Sequence, residues 1–142
     1  MKIANAAAGG TLAVLLALPA FAAVLPMDAP TKMGEVTAVC TGVGSAKDDP
    51  QWSSYPIKLE FSNGGAQFVS GENVKLMNQT GAQLATFDCT GPWVLLNLPK
   101  GNYSVTATVA QSNAGSRSVK FATPATGQKR VEVQFPAAAP NQ

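Results

Sequence analysis

Histidine is absent from this sequence of 142 residues, and charged residues are scarce. Without histidine the chain can form neither a Ser-His-Asp nor a Cys-His catalytic arrangement, and it cannot ligate zinc or haem through imidazole. Charged residues account for 13% of the chain, well below the usual value of about 25%. Lysine and arginine together number 10 against 8 acidic residues, so no strong field attracts a polyanion. We therefore expect no nucleic-acid partner.

Motifs for other common chemistries are missing too. The sequence contains no G-x-x-x-x-G-K-[ST], G-x-G-x-x-G or G-x-S-x-G segment, the signatures of nucleotide-binding loops and of a serine nucleophile. Asp48 and Asp49 are adjacent, but calcium needs about six to eight oxygen ligands, so a solvated turn before Pro50 is favoured over a calcium loop. We expect the glutamates of the predicted strands to face solvent: Glu35, Glu60, Glu72 and Glu132. The chain is predicted to be non-enzymatic, without metal or cofactor.

The first 22 residues have the pattern of a secretory signal peptide. Lys2 precedes an apolar run from Leu12 to Leu18, Pro19 ends that run, and Ala20-Phe21-Ala22 forms a small-x-small cleavage site. A retained membrane anchor would need about 20 apolar residues, and polar residues and glycines interrupt the run here. We therefore expect a signal helix that is removed, a periplasmic or secreted protein, and no membrane span after cleavage.

Cys40 and Cys89 are the two cysteines of the chain. An exported protein folds in an oxidising compartment, where two such thiols pair. Closing a loop of about 50 residues in this way stabilises a fold by about 4 kcal/mol in the chain-entropy model. The alternatives, a free thiol or a redox-active pair, lack the C-x-x-C spacing or an activating neighbour. The sequence favours a structural disulfide between Cys40 and Cys89.

Alternation of apolar and polar residues runs through most of the remaining chain. It is clearest in residues 91–109, where Leu98-Pro99-Lys100-Gly101 forms a turn between an apolar strand and an alternating strand that starts at Tyr103. The first of these strands is apolar at both its odd-numbered and its even-numbered positions. We therefore expect it to be central in a sheet and covered on both sides. The predicted strands are 35–40, 55–61, 73–77, 83–89, 93–98, 103–109, 116–121 and 130–135.

Seven or eight short strands, with no helical periodicity outside the leader, predict an all-β fold. We expect an antiparallel β-sandwich of two sheets, like prealbumin and immunoglobulin domains, with a small β-barrel as the alternative. The sandwich domain would span residues 35–135. Residues 23–34 contain two prolines and no periodicity, so they are predicted to form a flexible N-terminal arm. Residues 136–142 are predicted to form a disordered tail.

The order of these segments resembles a known family. Four segments between Gly42 and Phe135 carry the resemblance: YPIKLEF, ENVKLMNQTGAQL, GPWVLLNLPKGNYSVTAT and VKFATPATGQKRVEVQF. Their order resembles that of small periplasmic bacterial carboxypeptidase regulatory-like domain proteins. Those proteins are similar to transthyretin-type and starch-binding-like sandwiches. The resemblance implies a seven-stranded sandwich without catalytic residues. It also implies structural roles for Gly91, Pro92, Trp93, Pro99, Gly101 and Tyr103. The cysteine pair and the strand start Tyr55-Pro56 depart from the family pattern.

Aromatic side chains are the candidates for a binding role. Trp52 lies in a polar loop close to Tyr55, and the two rings are predicted either to form a flat platform for a sugar ring or to cover one end of the core. The main hypothesis is a monomeric binding or scaffold module for an envelope protein or glycan, which uses the open edge strands of its sheets. The alternative is a carbohydrate-binding module, which requires Trp52 and Tyr55 to be exposed together.

Overall fold

The computed structural model describes residues 23–64, 67–109 and 115–135. Within these residues, ten strands form two sheets of five strands each, and neither sheet closes on itself. This confirms the all-β two-sheet sandwich and argues against the barrel. The predicted signal peptide (1–22) and the predicted tail (136–142) lie outside the described residues.

The strands are β1 (Ala23–Val24), β2 (Thr31–Met33), β3 (Val36–Thr41), β4 (Ile57–Ser62), β5 (Glu72–Asn78), β6 (Gln83–Cys89), β7 (Trp93–Asn97), β8 (Asn102–Val109), β9 (Ser116–Ala122) and β10 (Lys129–Gln134). Sheet A has the order β1-β6-β5-β8-β9, and sheet B has the order β10-β4-β7-β3-β2. Each sheet mixes antiparallel pairs with one parallel pair. The parallel pairs are β1 with β6 and β10 with β4, so the predicted fully antiparallel arrangement is wrong for these two pairs.

The core lies between the inner faces of the two sheets, where every second residue of each long strand points. Its largest fully buried apolar side chains are Phe61, Phe87, Phe135, Ile57, Leu59 and Leu76. The disulfide between Cys40 and Cys89 is present and joins β3 of sheet B to β6 of sheet A across this core. The predicted pairing of the two cysteines is confirmed.

The central strand β7 is covered on both faces, as the sequence predicted. Val94 and Leu96 point into the main core, whereas Leu95 points outward and is buried with Val39 on β3. Two short 3₁₀ turns follow β3, Ser45–Asp48 and Pro50–Ser54, and Trp52 of the second turn covers this outer apolar patch together with Tyr55. The fold therefore has a small second core on the outside of sheet B.

The segment predicted as a flexible arm is built into both sheets, which corrects that prediction. Leu25 is 2% exposed, and its backbone N–H donates to the Asp88 carbonyl of sheet A. A few residues later the Asp28 N–H donates to the Cys40 carbonyl of sheet B, and β2 then pairs with β3. We call residues 23–33 the N-terminal strap because they cross from one sheet to the other beside the disulfide.

The turn after β7 and the segment before it bring backbone and side chains into close contact. The Tyr103 hydroxyl donates to the Pro99 carbonyl and so ties the hairpin turn to β8. At Gly91 a Cβ atom would lie directly against the Thr41 carbonyl oxygen and 3.0 Å from the Met27 methyl group. Only glycine fits between the strap and β3 at this point.

Candidate binding surface

The predicted aromatic platform is not present as an exposed surface. Trp52 is 5% exposed and Tyr55 is 9% exposed, with ring centroids 5.9 Å apart at an interplanar angle of 59°. The Trp52 Nε1 donates to the Ala46 carbonyl at 2.8 Å, and the Gln128 side-chain amide donates to the carbonyls of both Trp52 and Tyr55. The hypothesis of a sugar platform at these rings is therefore wrong. The rings cover Leu95 and Val39, because an apolar outer face must be shielded from water.

Trp93 lies on the same outer face and is half-buried. The Lys58 ammonium stands 3.6 Å from its ring centroid, a cation–π contact, and the Phe68 ring meets it edge-on at 5.9 Å. A sugar ring that stacks needs an open aromatic face, and Lys58 occupies one face of this ring. In the part of the chain that the structure describes, Phe68 is the one large aromatic that is classed as exposed.

The adjacent acids form a local turn. Asp49 accepts hydrogen bonds from the Gln51 backbone N–H and from its side-chain amide, both at 3.0 Å, and so caps the second 3₁₀ turn. Asp48 pairs with Lys47 at 3.2 Å on the exposed surface. Across residues 23–64, 67–109 and 115–135, no three acidic or cysteine side chains come together in a way that could hold a metal ion.

Two of the four strand glutamates are buried, which corrects their predicted exposure. Glu60 is 7% exposed and pairs with Lys58 at 3.1 Å and with the Arg130 Nε at 2.8 Å. Glu72 is 1% exposed, and neither carboxylate oxygen has a hydrogen-bond partner in the described structure. Burial raises the pKa of Glu72 to about 9, and this effect outweighs the residue's own backbone N–H, which lowers the pKa. Glu35 and Glu132 are exposed as predicted.

The inward direction of Glu72 follows from strand parity. It lies two residues before Val74 and four before Leu76, both of which point into the core. Because successive side chains of a strand alternate between faces, the same parity places Glu72 inside. Its register partner on β6 is Cys89, so the carboxyl group belongs to the layer that contains the disulfide. Parity was the signal that could have identified this residue from the sequence.

The two lateral sides of the sandwich differ. On one side, β1 covers β6 at Phe87 and Asp88, β2 covers β3, and the disulfide joins the sheets. On the other side, β9 and β10 are neighbouring edge strands of opposite sheets. Among the described residues, no strand pairs with the outer edge of either one. We call the first side the closed side and this second side the open side.

β9 is the longer of the two open edges. It has seven residues, and its register with β8 runs unbroken from Asn102↔Ala122 to Thr108↔Ser116. Hydroxyl pairs fix it to β8, with Thr106 and Ser118 at 2.8 Å and Thr108 and Ser116 at 2.9 Å. Most of its side chains are exposed, Phe121 being buried. A straight, exposed edge with no bulge and no proline offers its free backbone groups to another strand.

A cavity of about 590 Å³ lies at the end of β9. The last three residues of that strand line it together with Asn78, Gln79, Asn102, Tyr103, Ser104 and Lys129. Its charged lining residues are Lys120 and Lys129, so the lining carries a net positive charge. The buried rings of Tyr103 and Phe121 stack at 5.8 Å behind it. Burial and the nearby Glu35 carboxylate both raise the pKa of Tyr103.

Sequence reasoning did not locate this region, because it depends on strand order. Alternation identified 116–121 and 130–135 as strands, but nothing in their patterns indicates that they occupy neighbouring edges of opposite sheets. In the described residues no helix is long and apolar enough to cross a membrane. A scan of protein-family models, a search of curated proteins and a search of solved structures each find no match to this chain. The resemblance to carboxypeptidase regulatory-like domain proteins stays a prediction.

Proposed function

We propose that this chain is an exported, non-enzymatic binding module of the cell envelope, and that it holds a protein partner by accepting an extended strand at the edge of β9. The observation that carries the proposal is the seven-residue edge of β9 on the open side, with which no strand of residues 23–64, 67–109 or 115–135 pairs. Strand addition is a common mode of peptide recognition, in which backbone hydrogen bonds supply affinity.

The asymmetry between the two sides supports this assignment. Edge strands invite unwanted pairing, and proteins normally protect them with short strands, prolines, bulges or a covering segment. The strap protects the β6 and β3 side in this way, through strands of two and three residues. In the described structure β9 has none of these devices except charged side chains, Arg117 and Lys120. An edge left accessible in a protein that protects its other side is a candidate recognition surface.

Two features support export. The leader pattern of residues 1–22 predicts secretion. The disulfide between Cys40 and Cys89 is typical of proteins that fold in an oxidising compartment. Sequencing the N-terminus of the protein recovered from the periplasm and from the medium of a bacterial host tests this part. We expect the recovered chain to begin at Ala23, whereas an intact leader on a cytosolic protein would contradict export.

Hydrogen–deuterium exchange of the full-length expressed protein tests strand addition. The probe is an octapeptide of alternating valine and serine, capped at both ends so that it carries no charge. At millimolar probe we expect slower exchange of backbone amides within Ser116–Ala122, because added hydrogen bonds protect the edge amides of β9. A peptide of the same length and capping in which prolines replace the two central residues is the matched control, since it cannot form a continuous strand. Unchanged exchange in β9, or protection confined to another strand, would overturn the proposal.

A further inference from the structure

We infer that the partner segment is acidic, and that the cavity at the end of β9 takes one of its carboxylate groups between Lys120 and Lys129. This inference rests on the proposed function, since the carboxylate would arrive with the added strand. It specifies the partner's chemistry, which edge geometry alone leaves open.

The two lysines are free to bind an anion. Both are exposed, and neither forms an ion pair with a carboxylate of the described residues. The neighbouring Arg130 is different, because Glu60 and Glu132 already neutralise it. The backbone around the lysines is fixed: Lys120 pairs in register with Ser104, and the Lys129 N–H donates to the Pro56 carbonyl at 2.8 Å. Two lysines that form no ion pair among the described residues thus line one cavity, where the Glu35 carboxylate also acts on Tyr103.

The remaining polar lining suits a carboxylate as well. Asn78 uses its side-chain oxygen to accept from the Thr80 N–H at 3.0 Å, from the Thr80 hydroxyl at 2.7 Å and from the Ala82 N–H at 2.9 Å. Its amide nitrogen is therefore the group left to donate. Asn102 and Gln79 add further amides to the lining. Amide N–H groups and ammonium groups are donors, and a carboxylate needs donors on both oxygens.

Continuity with β9 favours a peptide over a free anion or an anionic glycan. Lys120, Phe121 and Ala122 are both the last residues of β9 and part of the cavity lining. A strand that pairs along the free edge of β9 would therefore end beside residues that line the cavity. One of its terminal side chains, or its own C-terminal carboxylate, would lie beside the lysines.

Binding of four octapeptides of alternating valine and serine to the full-length protein tests the inference. One probe is uncharged, one carries glutamate at the first position, one carries glutamate at the last position, and one is uncharged except for a free C-terminal carboxylate. Glutamate at either end covers antiparallel and parallel addition, and the fourth probe separates a terminal from a side-chain carboxylate. At low ionic strength we expect at least one acidic probe to bind about tenfold more tightly than the uncharged probe, as two exposed charge contacts permit.

The charge contacts are checked with lysine variants and salt. The double variant Lys120→Gln with Lys129→Gln should remove the preference for the acidic probe, whereas Lys32→Gln, an exposed lysine on β2 at the closed side, should leave it unchanged. Raising the ionic strength should shrink the preference in the wild type, since exposed charges are screened.

The outcomes separate the two proposals. Equal affinity for the acidic and uncharged probes, with β9 still protected by both, would overturn the acidic partner and leave strand addition standing. Absence of β9 protection with every probe would overturn strand addition itself. Lysine-dependent binding of polygalacturonate without binding of any peptide would overturn the choice of a peptide and assign the cavity to an anionic glycan.

Discussion

The carboxyl group of Glu72 should make the stability of this protein fall as the pH rises. It is 1% exposed, has no hydrogen-bond partner in the described structure, and titrates in the folded state at about 9, against an ordinary value of 4.5. Between these two values the folded state holds a proton that the unfolded state has lost. The unfolded state therefore binds fewer protons, and the free energy of unfolding decreases with increasing pH.

The magnitude follows from the pKa shift. Each pH unit inside this window costs about 1.4 kcal/mol of stability, so the free energy of unfolding should fall by about 4 kcal/mol between pH 5 and pH 8. A typical domain is stable by about 5–15 kcal/mol, so the loss is large. Above the folded-state pKa the penalty levels off, because the group then ionises in both states. Below pH 4.5 the penalty vanishes.

Urea unfolding of the wild type and of Glu72→Gln from pH 5 to pH 9 measures this effect. The amide of Glu72→Gln cannot ionise, so its stability should vary much less with pH and should exceed that of the wild type at pH 8. At pH 5 the variant should be less stable than the wild type, by at most about 3 kcal/mol, because its amide is left unpaired in the core. Glu35→Gln is the matched control, since Glu35 is exposed, and it should keep the wild-type slope. Parallel profiles for the wild type and Glu72→Gln would refute the reasoning.

Two further predictions concern the contacts that hold the closed side together. The double variant Cys40→Ala with Cys89→Ala should lose about 4 kcal/mol of stability in urea unfolding, because the bond closes a loop with a sequence separation of 49 residues; equal stability of oxidised and reduced wild type would contradict this. Gly91→Ala should lose about 2–4 kcal/mol, since its new Cβ meets the Thr41 carbonyl, whereas Gly101→Ala, whose Cβ would meet the Tyr103 ring at 3.6 Å, should change stability by less than about 1 kcal/mol. Equal thermal shifts for the two glycine variants would show that the backbone at Gly91 can move away.

Much of the sheet structure could be predicted from alternation alone. β6 was predicted with its observed bounds, and the other long strands lie within two residues of the predicted ranges. Alternation works here because each long strand buries one face, so every second side chain must be apolar. The double-sided apolar pattern of β7 also predicted its central position and its outer cover, which Trp52 and Tyr55 provide.

The elements that the sequence did not predict are those whose position depends on a neighbouring strand. β1 and β2 have two and three residues, too few for a period to be visible, and their position is set by β6 and β3. Parallel pairing of β10 with β4 was equally invisible, since a strand with one buried face alternates in the same way in either direction. Strand order is a tertiary property, so the open side could not be derived.

The candidate site was missed for related reasons. Trp52 and Tyr55 attracted attention because aromatic rings in a polar loop suggest binding, but the apolar Leu95 beneath them made them a cover. Glu72 was expected at the surface because ionised carboxylates avoid the interior, although its parity with Val74 already placed it inside. Lys120 and Lys129 stood in two separate strands, and only the packing of β9 against β10 brings them to one cavity.

The charges of β9 also disfavour pairing of its open edge between copies of this chain. Two copies that joined edge to edge through β9 would bring two cationic strands together, each with Arg117 and Lys120 exposed. Like charges across a strand pair are destabilising, and cationic side chains are a common protection of edge strands. An acidic segment meets no such penalty and gains attraction instead. The same two residues would therefore disfavour self-association through β9 and favour the proposed acidic partner.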